Sequence, residues 1–221
     1  MYILNGDKKV QFNGKTYGLH SVSGKVMDTN TRSETEVTGS GGGGGGFSYQ
    51  GTGASSTRAI RITSTTTRFT KIFILGEDGV EHAAELVDFD VRCRAGNGLT
   101  LIWAIKEGKD KGPYIAAYNH SSRDMEFDED VIGRLCRPTM VSMLAGSAIG
   151  FVLPLVMHWG GKASPLVAFV MLFVGMWVGM LVARMIGKQR AKAFIQGPDV
   201  SGMRAQLEAV PVAKLTQLTA A

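Results

Sequence analysis

Cysteine is scarce: only Cys93 and Cys136 occur in 221 residues, and neither belongs to a Cys-x-x-Cys or Cys/His pattern. A disulfide framework and a structural zinc site are therefore excluded, and two reduced thiols are expected. The four histidines, at 20, 82, 120 and 158, include no two at ligand spacing, so no metal is expected. No Gly-Lys-Ser/Thr follows the glycine run and no Gly-x-Ser-x-Gly occurs, which leaves no cofactor or nucleophile motif. Six prolines stand beside 29 glycines without a Gly-X-Y period, excluding fibrous classes. Acids are missing from one end: residues 138–221 hold 7 Lys/Arg and 2 Asp/Glu, whereas residues 1–137 hold 17 of each. The net charge of +5 thus sits in the last third, away from any domain that would dock on nucleic acid, and no nucleic-acid partner is expected.

Charge is absent altogether from two long runs. Thr139 to Met157 is an uncharged stretch of 19 residues, about 28 Å as a helix, which matches a hydrocarbon core. Ala163 to Ala183 is a second, of 21 residues, followed at once by Arg184, Lys188, Arg190 and Lys192. Neither shows the polar stripe of a soluble helix. With only residues 158–162 between them, the two runs predict a transmembrane helical hairpin. Arg123, Arg134 and Arg137 before it and the basic run after it outweigh Lys162 in the turn, which places both termini in the cytoplasm of an inner-membrane, multi-pass protein. The first residues, MYILNGDKKVQFNG, carry Asn5 and Asp7 where an export signal needs an apolar run, consistent with a cytoplasmic first domain. The cations Arg134, Arg137, Arg184, Lys188, Arg190 and Lys192 also suit anionic headgroups, making membrane lipids the first expected partner. No ionisable residue lies within either run, so an ion pathway inside one copy is disfavoured. Small residues recur at four-residue spacing, Ser142, Gly146 and Gly150 in the first run and Gly175, Gly179, Ala183 and Gly187 in the second, marking helix-packing faces within the hairpin or between copies.

Residues 1–127 read as an all-β cytoplasmic domain, a sandwich or small barrel. Candidate strands are Val10–Phe12, Lys15–Asp28, Arg32–Thr38, Arg58–Thr66, Arg68–Leu75, Glu81–Phe89, Leu99–Ile105 and Tyr114–Asn119, separated by turns such as Asn13-Gly14. The core is expected to draw on Ile60, Ile62, Phe69, Ile72, Ile74, Leu86, Val87, Leu99, Leu101, Trp103, Ile115 and Tyr118. Leu99–Ile105, apolar on both faces, is expected to be central. Residues 128–138 begin a juxtamembrane helix that Asp128 caps and that continues into the membrane. The division is then 139–157 first span, 158–162 external turn, 163–187 second span and 188–221 cytoplasmic basic tail. In the tail, Gly202–Val210 and Val212–Leu218 suggest short helices with Leu207, Val210, Leu215 and Leu218 on a weak apolar face, either loose or docked.

The unusual stretch is residues 27–69. Two Ser/Thr-rich arms flank Gly41 to Gly46 within a glycine-rich insertion spanning 39–57. If the arms pair antiparallel, Glu34 and Glu36 can face Arg58 and Arg61. The arms are too polar to form the domain's own core, and a two-stranded hairpin is marginal in water, so intersubunit strand contacts through these four residues are expected.

Acids at 81, 85, 88 and 90 beside His82 suit a solvated strand face better than an acid/base pair. The polar strand end Tyr118 to Ser122 reads either as a turn or as a ligand cluster around His120. The reading that follows is an integral inner-membrane scaffold or assembly platform that forms a homo-oligomer and is more a binding than a catalytic protein. An oligomeric channel or transport component is the alternative, and a membrane-tethered enzyme or ligand sensor the second.

Overall fold

The computed structural model describes residues 4–40, 46–49, 52–55, 60–76, 78–138 and 165–216. The expected first span, with Ser142, Gly146 and Gly150, and the turn at 158–162 lie outside the described residues, as do Arg58 and most of the glycine run.

Nine strands occur in chain order among the described residues: β1 (Asn5–Phe12), β2 (Lys15–Ser40), β3 (Gly46–Tyr49), β4 (Thr52–Ser55), β5 (Arg61–Gly76), β6 (Glu81–Val87), β7 (Gly98–Lys106), β8 (Tyr114–Asn119) and β9 (Asp124–Phe127). Among the described residues four helices follow, α1 (Glu129–Cys136), α2 (Pro165–Ile195), α3 (Pro198–Glu208) and α4 (Val212–Thr216). Seven strands form one antiparallel sheet in the order β6-β5-β2-β7-β8-β9, with β1 on β2. Of the expected sandwich or small barrel, the described residues show an antiparallel sheet whose path ends in β6 and β9, with β3 and β4 paired in a separate two-stranded sheet. Residues 89–94 cross from one end to the other. The Asn119 Nδ2 amide donates to Arg92 O at 2.8 Å, and Arg92 N–H donates to Glu126 Oε2 at 2.8 Å.

Local chemistry sets the turns. Phe12 pairs with Lys15 across Asn13-Gly14, both at positive φ (51° and 71°), the conformation a two-residue hairpin needs and that Asn and Gly tolerate. β7 is central, hydrogen-bonded to β2 and β8 and buried on both faces, as its continuous apolar run predicted. Alternation along it separates two cores. Ile102 and Ala104 face one containing Phe12, Leu19, Tyr118, Ile132, Met203 and Leu207, while Leu99 and Leu101 face another with Val26, Ile72, Ile74, Leu86 and Phe89.

Among the described residues the range 1–127 holds strands and no helix, as expected, but helices from beyond it supply much of the first core. Val200, Met203 and Leu207 of α3 are buried there, Phe194 of α2 meets Phe12 ring to ring at 4.9 Å, and Leu215 of α4 is fully buried. The tail is thus docked, with the chain break at Gly197-Pro198 placing proline at the start of α3. α1 starts where expected, with the Asp128 carboxylate accepting from Val131 N–H at 2.8 Å. It stops at Cys136, because Arg137 precedes a proline and is extended (φ −74°, ψ 124°), so the expected continuation of this helix into the membrane is corrected.

α2 is different in kind. Residues Phe169–Ile195 form the one helix among those described that is long and apolar enough to cross a membrane, with mean hydropathy 2.1. Its side chains at Phe169, Phe173, Trp177, Val178, Leu181 and Met185 are exposed. At about 1.5 Å per residue its 31 residues reach roughly 46 Å, more than a hydrocarbon core requires.

Candidate functional site

Beyond the sheet, β2 and β5 continue as a two-stranded ribbon. β6 accompanies β5 only from Phe69 to Leu75, and β7 leaves β2 at Lys25, yet β2 and β5 stay paired out to Ser40 and Arg61. The departure point is built from backbone proximity. A Cβ on Gly24 would lie 2.1 Å from Leu75 O, so only glycine fits, and a bulge follows between Val26 and Asp28. Past that bulge every residue pairs with the one numbered 101 minus its own, as in Thr29 with Ile72 and Ser40 with Arg61. β3 and β4 obey the same rule, from Gly46 with Ser55 to Tyr49 with Thr52, so the outer hairpin keeps the register of the arms.

The ribbon is held by backbone pairing and threonine contacts. Thr35 and Thr66 hydroxyls lie 3.0 Å apart, Thr31 and Thr70 3.4 Å, and the Thr38 hydroxyl donates to Thr63 O at 3.3 Å. Such pairs contribute on the order of 0.2–1 kcal/mol each, too little to stabilise a ribbon alone. Ile60 and Ile62, expected in the core, are 66% and 69% exposed, because they lie where no layer covers either face; Val87, at the end of β6, is 48% exposed. The pleat puts most of the ribbon's charged residues on one face and Arg68 on the other. Arg32/Phe69, Glu34/Thr67, Glu36/Thr65 and Ser40/Arg61 occupy one face, while Thr31/Thr70, Ser33/Arg68, Thr35/Thr66, Val37/Ser64 and Gly39/Ile62 occupy the other. Antiparallel pairing of the arms is as expected, but the expected opposition of Glu34 and Glu36 to Arg61 is corrected. Both glutamates face threonines, and Glu34 instead lies 3.5 Å from Arg32, two residues away on its own face. Backbone register, set by the bulge near Gly24, decided the pairing, and exposed ion pairs are too weak to shift it.

The second feature lies where α2 meets the domain. A Cβ on Gly187 would sit 2.6 Å from Gly133 O and 3.5 Å from the Arg137 Cβ, so α1 and α2 cross backbone to backbone. Of the small-residue stripe, Gly179, Ala183 and Gly187 are buried and Gly175 half-buried, and Ala191 extends it. At Gly187 the partner is α1, a contact that spacing alone did not identify. The same crossing brings Arg134, Arg137, Arg184 and Lys188 around one cleft, which Arg190 and Lys192 do not line.

The third is buried. Thr100 Oγ1 is 2.7 Å from both Ser23 Oγ and His120 Nε2, with Ser23 and Thr100 fully buried and His120 2% exposed. Burial drops the imidazole pKa to about 4. Asn119, the neighbour read as a ligand candidate, forms a turn: its side-chain Oδ1 accepts from Ser121 and Ser122 N–H at 2.9 and 3.3 Å. Leu215 packs over this region within 3.2 Å of where a Gly98 Cβ would be. His120 and Thr100 are therefore an internal polar link between β8 and β7. The acids at 81 and 85 are exposed on β6, the solvated face that the alternation indicated. Among the described residues no cluster of three or more His, Cys, Asp or Glu is arranged to hold a metal.

No family model matches the chain, and neither curated proteins nor solved structures yield a match.

Proposed function

We propose that the chain is an integral inner-membrane protein that self-associates as a scaffold, with the projecting ribbon supplying contacts between copies. The observation that carries this is the ribbon's pair of open edges. From Asp28 to Ser40 on β2 and from Arg61 to Thr67 on β5, no further strand is paired among the described residues. Thirteen residues at about 3.4 Å each make β2's open edge roughly 44 Å long, far beyond the short edges that soluble domains tolerate. A second copy carries the complementary strand. Glu34, Glu36 and Arg61 on the charged face then lie beside the neighbour's ribbon and select its register.

Anchorage comes from α2 together with the uncharged run Thr139–Met157, as a two-span hairpin with both termini cytoplasmic. The exposed apolar surface of α2 and the basic residues after Ala183 support it. The channel alternative keeps one supporting observation: charged residues of the ribbon's outer half, Glu34, Glu36 and Arg61, share a single face, the sidedness a ring of hairpins needs to present charge to a lumen. Mass measurement of the detergent-solubilised full chain tests self-association. A defined oligomer is expected, and a monomer refutes both the scaffold and the channel.

A further inference from the structure

We infer that the cleft at the crossing of α1 and α2 binds the phosphate of an anionic phospholipid headgroup at the cytoplasmic surface. This rests on the reading of α2 as a membrane span. The cleft has a volume of about 420 Å³ and is lined by Arg134 and Arg137 from α1 and Arg184 and Lys188 from α2, with Val87, Asp88, Asp128, Asp130 and Gly133.

Its construction follows from two glycines. Because Gly187 lies against Gly133 O with no room for a side chain, the two helix backbones touch, and the cations that neighbour those glycines in sequence are gathered at one place. Four cations gathered at one place repel one another, and the three aspartates of the lining offset that repulsion only in part, leaving a net positive cleft that attracts an anion. Among the described residues none of the four forms an ion pair. Three carboxylates share the cleft and keep their charge, Asp128 interacting with Arg134, so the four cations exceed them by one. Asp88 Oδ1 accepts from Arg68 N–H at 2.8 Å, and Asp128 Oδ1 caps Val131 N–H at 2.8 Å. Asp130 lies in the first turn of α1, where its charge complements the helix dipole.

Position identifies the anion's source. Arg184 immediately follows the uncharged run and Met185 is the last of α2's large exposed apolar residues, so the cleft stands at the level where hydrocarbon gives way to headgroups. Arginine forks match phosphate oxygens in pairs, and the ammonium of Lys188 adds a point charge. A phospholipid bound there would hold the domain at a fixed height and orientation on the membrane.

The test uses the full chain in two steps. Alkaline carbonate extraction of membranes from expressing cells reports on the span, and release into the supernatant would refute that reading alone. Native mass spectrometry of the detergent-solubilised protein then compares added phosphatidylglycerol, phosphatidylcholine and inorganic phosphate. Preferential retention of phosphatidylglycerol is expected. Arg184→Gln with Lys188→Gln should weaken it about tenfold, Arg134→Gln should weaken it as well, and Arg190→Gln with Lys192→Gln, the same charge loss outside the cleft, should change it less than about twofold. Equal retention of both lipids, or equal losses in the two double variants, would overturn the cleft while leaving the span intact. Displacement of the lipid by millimolar inorganic phosphate would reassign the site to a soluble anion.

Discussion

Acidifying the protein from pH 7.5 to 4 should withdraw a defined part of its stability through one residue. His120 is 2% exposed, its Nε2 lies 2.7 Å from Thr100 Oγ1, and burial lowers its pKa from 6.5 to about 4. Above pH 6.5 the imidazole is neutral in both folded and unfolded chains, so its contribution is complete. Between 6.5 and about 4 the unfolded chain takes up a proton that the folded chain refuses, and stability falls with pH; below 4 the loss is complete. A difference of that size corresponds to about 3 kcal/mol, or roughly 6–12 °C in Tm for a domain of this length. Carboxylates also titrate at the low end, so the assay is a comparison. Melting of the full chain in detergent is followed by circular dichroism for the parent and for His120→Gln, which cannot titrate. The variant is expected to melt lower at pH 7.5, with a gap that narrows steadily as pH falls from 6.5 to 4. A gap independent of pH, or an NMR titration of His120 near 6.5, would refute the reasoning.

Gly187→Ala places a Cβ 2.6 Å from Gly133 O and should cost on the order of 1–3 kcal/mol at the α1–α2 crossing, whereas Gly133→Ala, with nothing closer than 4.0 Å, should be neutral or slightly stabilising; thermal melts of the two variants check this asymmetry. Cys93, half-exposed but raised by burial and by the Glu126 charge to a pKa of about 11, should react with Ellman's reagent at pH 8 about tenfold more slowly than a thiol at its usual value of 9.0, the smaller thiolate fraction being partly offset by its higher nucleophilicity, and denaturation should abolish the difference. Cysteine substituted at Gly161 should react with an impermeant maleimide in intact cells and one at Asn30 should not, and the reverse pattern would overturn the proposed topology.

Local signals carried much of the fold. Asn13-Gly14, the alternation in Glu81–Val87 and the two-sided apolar run of β7 each specify structure within a few residues, and each appears as read. Reading failed where a distant contact decides. Ile60 and Ile62 have the composition of core strand residues, but a strand running past its neighbours has nothing to bury them against. The tail's apolar stripe was legible at Leu207 and Leu215, while its docking depended on a face of the sheet that only the fold creates. For the cleft, six cations were visible in the sequence as a juxtamembrane group. Which four converge is set by Gly187 against Gly133, a pairing across more than 50 residues of chain. The register of the arms was equally hidden, because a steric constraint at Gly24 and a bulge, rather than the charges further out, determine it.

Shortening the ribbon tests the central claim most directly. Replacing residues 33–68 by Asn-Gly joins Arg32 to Phe69, which already face each other, by a two-residue turn that removes Glu34, Glu36 and Arg61 and preserves the remaining register. The native mass of this variant is then compared with that of the parent in the same detergent after both are shown to insert into membranes. If the ribbon supplies the contacts between copies, the parent is a defined oligomer and the shortened protein a monomer or a smaller assembly. An unchanged mass would contradict the account.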